Sequence, residues 1–275
     1  MYALDADTTV RWTSTLLAIS ILIGCLEELA GLREYKSDGL FSWDVLSTQF
    51  PEASSAALRP VLNRLFSYNG VRALLVVQLL AILAMLVPAL PPPWRVSAVA
   101  AALLIRFGLV YRNAYGSDGS DQMETMVLIG LLATLALGRS RAAALGIWFI
   151  ALQSALAYFT SGVAKAFSKE WLNGGAAFKI FNTYTYGSRP VAALLKNVPI
   201  LSAPLCWILV GYECVFPVSL FAPVRVTLAI LSLGVLLHVF NAFVMGLNKF
   251  LWAFVSTYPA ILYCNQQITA WIAGR

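Results

Sequence analysis

The sequence predicts an all-α protein, a polytopic membrane helix bundle of about eight transmembrane helices with interfacial helices in its outer loops. Three observations carry that expectation. Of the 275 residues, 60% are hydrophobic and only 12% charged, with a mean hydropathy of +0.76; a soluble domain carries roughly 25% charged residues. The apolar residues fall in runs that approach or reach the roughly 20 residues a helix needs to cross a bilayer. Most of the twelve prolines and eighteen glycines stand between those runs, where they end helices. No internal repeat is visible, which argues against an inverted-repeat transporter. The chain is expected to form one domain, 1–275.

The elements follow in order. The N-terminal segment carries Asp5 and Asp7 and lacks a basic n-region, so the apolar run 12–32 is expected to be a retained first helix with Glu27 and Glu28 near its far end. Residues 33–72 are polar and mixed. Within them Phe41, Trp43, Leu46 and Phe50, then Val61, Leu62, Leu65 and Phe66, predict short amphipathic helices at the interface. The run 73–87 ends at Pro88 and the Pro91-Pro92-Pro93 break, and 96–111 contains Arg106. The run 123–137 precedes Gly138, and 142–165 leads into the polar segment 166–203. The last runs are 204–221, 224–245 and 250–272.

Short-loop positive charge sets orientation. With the N-terminus cytoplasmic, the inner loops carry Arg95, Arg139, Arg141 and Arg225, Arg275 ends the chain inside, and no acid stands in those short turns. The long loops then lie outside, and both termini are cytoplasmic. The net charge of +6 is scattered along loops, so it predicts no nucleic-acid partner. The lipid bilayer is the expected partner. The four cysteines stand inside apolar runs without a C-x-x-C, and Cys206 and Cys214 are about 12 Å apart along one helix, too far to bridge. One histidine and no cysteine cluster predict no metal site.

With that topology the intramembrane polar groups, which are expensive in lipid, are expected to converge on the outer level of the bundle. Lys165 ends the fifth expected helix. His238, the only histidine, stands roughly 20 Å up the seventh, with Asn241 on its face. Glu213 falls near mid-membrane, where a carboxylate must be protonated or paired. Arg106 and Arg112, Asp121 and Gln122, and Glu28 all fall at outer helix ends, and Glu170-Trp171 follows Lys165. Each has a plainer reading: Lys165 as an interface marker, His238 as a satisfied core histidine, Asp121 as an N-cap, Glu28 as the partner of a loop arginine, Trp171 as a belt anchor. The chemical reading makes Lys165 a general base in a low-dielectric pocket, with His238 and Glu213 relaying the proton. Lateral access from lipid suits an apolar cofactor such as a quinol; a peptide would enter from the outer aqueous side.

These residues also carry a resemblance. Tyr158-Phe159-Thr160-Ser161-Gly162-Val163-Ala164-Lys165, followed by Trp171-Leu172-Asn173-Gly174, resembles the Y-F-x-x-G-[VL]-x-K…W…G signature of the horizontally transferred transmembrane (HTTM) domain. That domain is shared by vitamin K-dependent gamma-carboxylase and its bacterial relatives. Glu213-x-x-x-Pro217 before Arg225, His238-Val239-Phe240-Asn241 and Met245-Gly246-Leu247-Asn248-Lys249-Phe250 are similar to its later motifs, and Gly119-Ser120-Asp121-Gln122-Met123 to the start of its fourth helix. The resemblance implies a quinone or hydroquinone cofactor and places Lys165 where the carboxylase has the base for its hydroquinone. No histidine stands in 113–122, where the carboxylase carries a functional one, and nothing here matches its C-terminal lumenal domain; glutamate carboxylation is therefore not the expected reaction.

In layout the chain is most similar to the SdpB-like proteins that help mature secreted antimicrobial peptides. That likeness implies a bacterial inner-membrane protein with a secreted peptide substrate and a companion maturation protein. The expected function is thus a membrane enzyme or factor that modifies or matures an exported peptide, with Lys165, His238 and Glu213 as catalytic residues and Asp121, Gln122, Arg106, Trp171, Asn241 and Glu28 binding substrate. A non-catalytic chaperone or scaffold for such a peptide is the second class. A small-solute transporter or immunity protein, with Glu213 and His238 coupling protons, is the third.

Overall fold

The computed structural model describes residues 4–87, 89–113, 117–138 and 142–274. Pro88, Arg139, Arg141 and Arg275, which entered the expected helix ends and charge bias, lie outside the described residues. Among those described the fold is all-α. Seven helices are long and apolar enough to cross a membrane: α1 (Ala6–Ala30), α4 (Tyr68–Met85), α5 (Pro92–Arg112), α6 (Gly119–Leu137), α7 (Ala143–Ala166), α11 (Ser202–Val215, extended by 3-10 turns to the span Pro199–Leu220) and α12 (Val224–Met245). The chain is an integral membrane protein.

The eighth expected span, 250–272, is two helices, α13 (Asn248–Val255) and α14 (Tyr258–Ala273). Three residues explain the break. The Ser256 and Thr257 hydroxyls donate to the carbonyls of Ala253 and Phe254, both at 2.7 Å. Pro259, in the first turn of α14, has no N–H to return to Val255. A run of apolar letters concealed a joint.

The described chain divides into two compact units. The first, Ser14–Gly146, holds most of α1, the short helices α2 (Trp43–Leu46) and α3 (Arg59–Phe66), and α4 to α6. Helices α4 and α5, and α5 and α6, are packed neighbours, as short connections dictate. The interfacial helices expected in 33–72 are α2 and α3. Their apolar positions divide: Trp43, Leu46 and Phe66 are buried together with Ala53, whereas Val61 and Leu65 face out. Arg112 ties this loop to the end of α5. Its fully buried guanidinium donates to the carbonyls of Phe66 (3.1 Å) and Phe41 (2.5 Å) and lies 4.5 Å from the Tyr35 ring centroid.

The second unit joins Met1–Thr13 to Ile147–Arg275. Here the polar segment after α7 folds into α8 (Lys169–Leu172), α9 (Gly175–Phe181) and α10 (Arg189–Asn197), and α9 packs on both α10 and α11. Ala176, Ala177, Leu195 and Cys206 form the small core of that docking. Gly174 has φ +81 and Ala203 pressed against it; a Cβ there would stand 2.6 Å from Ala203 Cα, so the turn into α9 needs glycine. Helix α12 ends on Gly246 at φ +73, whose N–H reaches the Ala242 carbonyl at 3.1 Å in a left-handed cap, and the Leu247 N–H reaches the Asn241 carbonyl at 3.3 Å.

Candidate functional site

Lys165 lies in the last turn of α7, on the face that carries Tyr158, Ser161 and Gly162. Its ammonium donates to both oxygens of Glu213, at 2.6 and 2.9 Å, and to the Ser161 hydroxyl one turn back. The Trp171 ring stands with its centroid 5.3 Å from the same nitrogen, within cation–π range. Glu213 comes from α11, and Gly162 lets the two helices meet: a Cβ there would stand 2.7 Å from the Cys214 backbone nitrogen and 2.9 Å from Glu213 Cβ. The carboxylate expected near mid-membrane is therefore paired, as its cost in lipid requires, and it stands level with the last turn of α7. Lys165, Glu213 and Trp171, read separately from the sequence, are one group in the structure.

A second polar group of the same unit surrounds His238 on α12. The residue is buried, with Nε2 2.6 Å from the Tyr158 hydroxyl, which in turn lies 3.0 Å from the Tyr258 hydroxyl. His238 Nδ1 is buried with no hydrogen-bond partner among the described residues. The imidazole stacks on Phe254, ring centroids 4.8 Å apart at 24°, and Phe254 stacks on Phe250 at 5.4 Å and 7°. Tyr158 stacks on Phe216 at 3.7 Å. One turn before His238, Gly234 leaves a notch filled by the hydroxyl ends of Tyr212 and Tyr258. Tyr212 adjoins Glu213 in α11 and donates to the Ile230 carbonyl at 3.2 Å. Asn241 is half-buried, and its carbonyl serves the cap of α12.

In the first unit, Arg106 is buried among three carboxylates. It pairs with Asp121, reaches Glu124 at 3.1 Å through Nε, and lies 3.6 Å from Glu28. The Nε–Glu124 contact is an ion pair without hydrogen-bond alignment. Glu124 is wholly buried and accepts from the Ser20 hydroxyl at 2.7 Å. Glu28 thus pairs with an arginine inside a helix, where a loop arginine was the plainer expectation. Asp121 is not the N-cap of α6. That position is Asp118, whose Oδ1 accepts from the Ser120 and Asp121 backbone N–H groups at 2.8 and 3.2 Å. Asp121 is the third helical residue, and its Oδ2 accepts from the Asp118 N–H at 2.9 Å to close the capping box. Gln122 is exposed.

The sequence reading passed over Glu124, Ser161, Tyr158 and Tyr258 as functional groups. Signals existed for three. Glu124 follows Asp121 at i+3, and Ser161 and Tyr158 precede Lys165 by four and seven residues, each on the face of a residue already singled out. Tyr258 had none, since its role depends on the turn at Ser256-Thr257. Compared with protein-family models, curated proteins and solved structures, the chain matches none.

Proposed function

We propose that this protein is an enzyme of the bacterial inner membrane, with both termini cytoplasmic, that modifies or matures an exported peptide of the antimicrobial type. The observation that carries the reading is Lys165 held by Glu213, Ser161 and Trp171 at the end of a membrane span. Lys165 Nζ and Glu213 Oε2 are in direct contact at 2.6 Å. In this reading Lys165 is the general base, Glu213 the acceptor of its proton, and Trp171 the ring that lies against the amine.

The residues around His238 fit a quinol. The Phe250–Phe254–His238 stack presents parallel aromatic planes, and the unpartnered Nδ1 matches one ring hydroxyl or carbonyl. A bound quinol would supply reducing equivalents. The chain's own part is to orient that ring and, through Tyr158 and Tyr258, to hold or move a proton at Nε2.

The test compares wild type with Lys165→Ala, matched in expression, beside a candidate peptide precursor, with the secreted product read by intact mass. A mass or processing change made by wild type and absent from Lys165→Ala is the expected result. An identical product from both would remove Lys165 from the chemistry and leave a scaffold for the peptide.

A further inference from the structure

We infer that the segment between α7 and α11 is a binding surface for anionic lipid headgroups. Both ends of the segment run into membrane spans, at Ala166 and at Pro199. Its helices α8 to α10 are therefore held on one side of the bilayer and close to it. Their inner face is already used against α11, through Ala176, Ala177 and Leu195. The outer face combines two features that lie idle in water.

The first is apolar. Phe167 is 86% exposed, Tyr184 103% and Leu194 51%. These are spread along the segment rather than gathered in one groove, the pattern that suits insertion between headgroups better than a single peptide ligand. The second is cationic. The segment carries Lys169, Lys179, Arg189 and Lys196 against Glu170 as its one acid. Lys179 and Glu170 neutralise each other at 2.7 Å. Lys169, Arg189 and Lys196 are exposed and have no carboxylate within ion-pair distance among the described residues. Three uncompensated cations and exposed aromatic and aliphatic side chains on one short segment, tethered at the membrane surface, match a phosphate-bearing headgroup layer in both charge and polarity.

Glu170 makes the inference sharp, because its removal should strengthen binding. It neutralises one lysine of the surface, so Glu170→Gln releases Lys179 as a fourth cation. Each cation near an anionic surface is worth on the order of fivefold in affinity, and three together about a hundredfold.

The full chain in detergent would be titrated with phosphatidylglycerol and with phosphatidylcholine, and retained lipid counted by native mass spectrometry. Wild type should prefer phosphatidylglycerol. The triple variant Lys169→Gln, Arg189→Gln, Lys196→Gln should lower that preference by up to about a hundredfold, while Glu170→Gln raises it by about fivefold. An unchanged preference in the triple variant, or a lower one in Glu170→Gln, overturns the inference. An oligoglutamate peptide is the competing occupant. If the triple substitution abolishes its binding and spares the lipid preference, the surface is a peptide site and the inference is wrong.

Discussion

Gly162→Ala is the most informative single perturbation, because two opposing effects of known size meet at that position. In a helix interior, replacing glycine by alanine is favourable by about 1 kcal/mol. Here the new methyl would stand 2.7 Å from the Cys214 nitrogen and 2.9 Å from both the Cys214 sulfur and Glu213 Cβ. Ordinary contact lies at roughly 3.5–4 Å, so α7 and α11 would have to part by on the order of 0.5–1 Å. The nearest obstacle is backbone and cannot swing aside. Overpacking of this kind costs about 1–3 kcal/mol. The same displacement stretches the 2.6 and 2.9 Å Lys165–Glu213 bonds beyond good hydrogen-bond length.

The net expectation is a loss of up to about 2 kcal/mol, a fall of as much as roughly 8 °C in the unfolding temperature in detergent, followed by tryptophan fluorescence. Gly211→Ala supplies the control. It lies in the same α11, with nothing within 4 Å of its added Cβ, and should hold or raise the unfolding temperature. If Gly162→Ala proves as stable as Gly211→Ala, the close approach does not govern the pairing and the argument fails.

Two further substitutions probe the buried polar groups by the same unfolding measurement. Arg106→Met leaves Glu124 and Asp121 buried without their cation and should cost about 3–5 kcal/mol; adding Glu124→Gln should recover part of it, and a single variant as stable as wild type would contradict the ion-pair assignment. Tyr158→Phe keeps the ring stacked on Phe216 but removes the hydroxyl from His238 Nε2 and Tyr258, for an expected loss of about 1–3 kcal/mol. Its effect should shrink when His238→Phe is already present; equal losses in both backgrounds would show that the two side chains are not coupled.

The seven spans were legible because lipid imposes a length and a polarity on a helix, and both are written in one dimension. The joint at Ser256-Thr257 was not, since those hydroxyls interrupt a run only by taking specific carbonyls. Lys165 and Glu213 each stood out as costly in lipid, yet their pairing spans forty-eight residues and depends on which helix faces meet. Gly162 fixes that meeting, and a glycine in an apolar helix looks the same whether it faces a neighbour or lipid. Asp118 and Asp121 share a turn, so composition allowed either to be the cap, and backbone geometry chose the first.

The buried arginine also bears on how the first unit is made. Arg106 emerges from the ribosome with α5, after Glu28 and before Asp121 and Glu124. A lone arginine costs about 2.5–3.5 kcal/mol to release into lipid at the centre of a span and less toward its end, and each acid of α6 would carry a penalty of similar kind. The cheapest moment for these helices to leave the translocon is therefore together, as an α5–α6 hairpin in which Arg106 is paired before lipid reaches it. α1 would wait alongside, with Glu28 held in reserve. On this account, the order in which the unit's charges are synthesised requires its spans to be delivered in pairs.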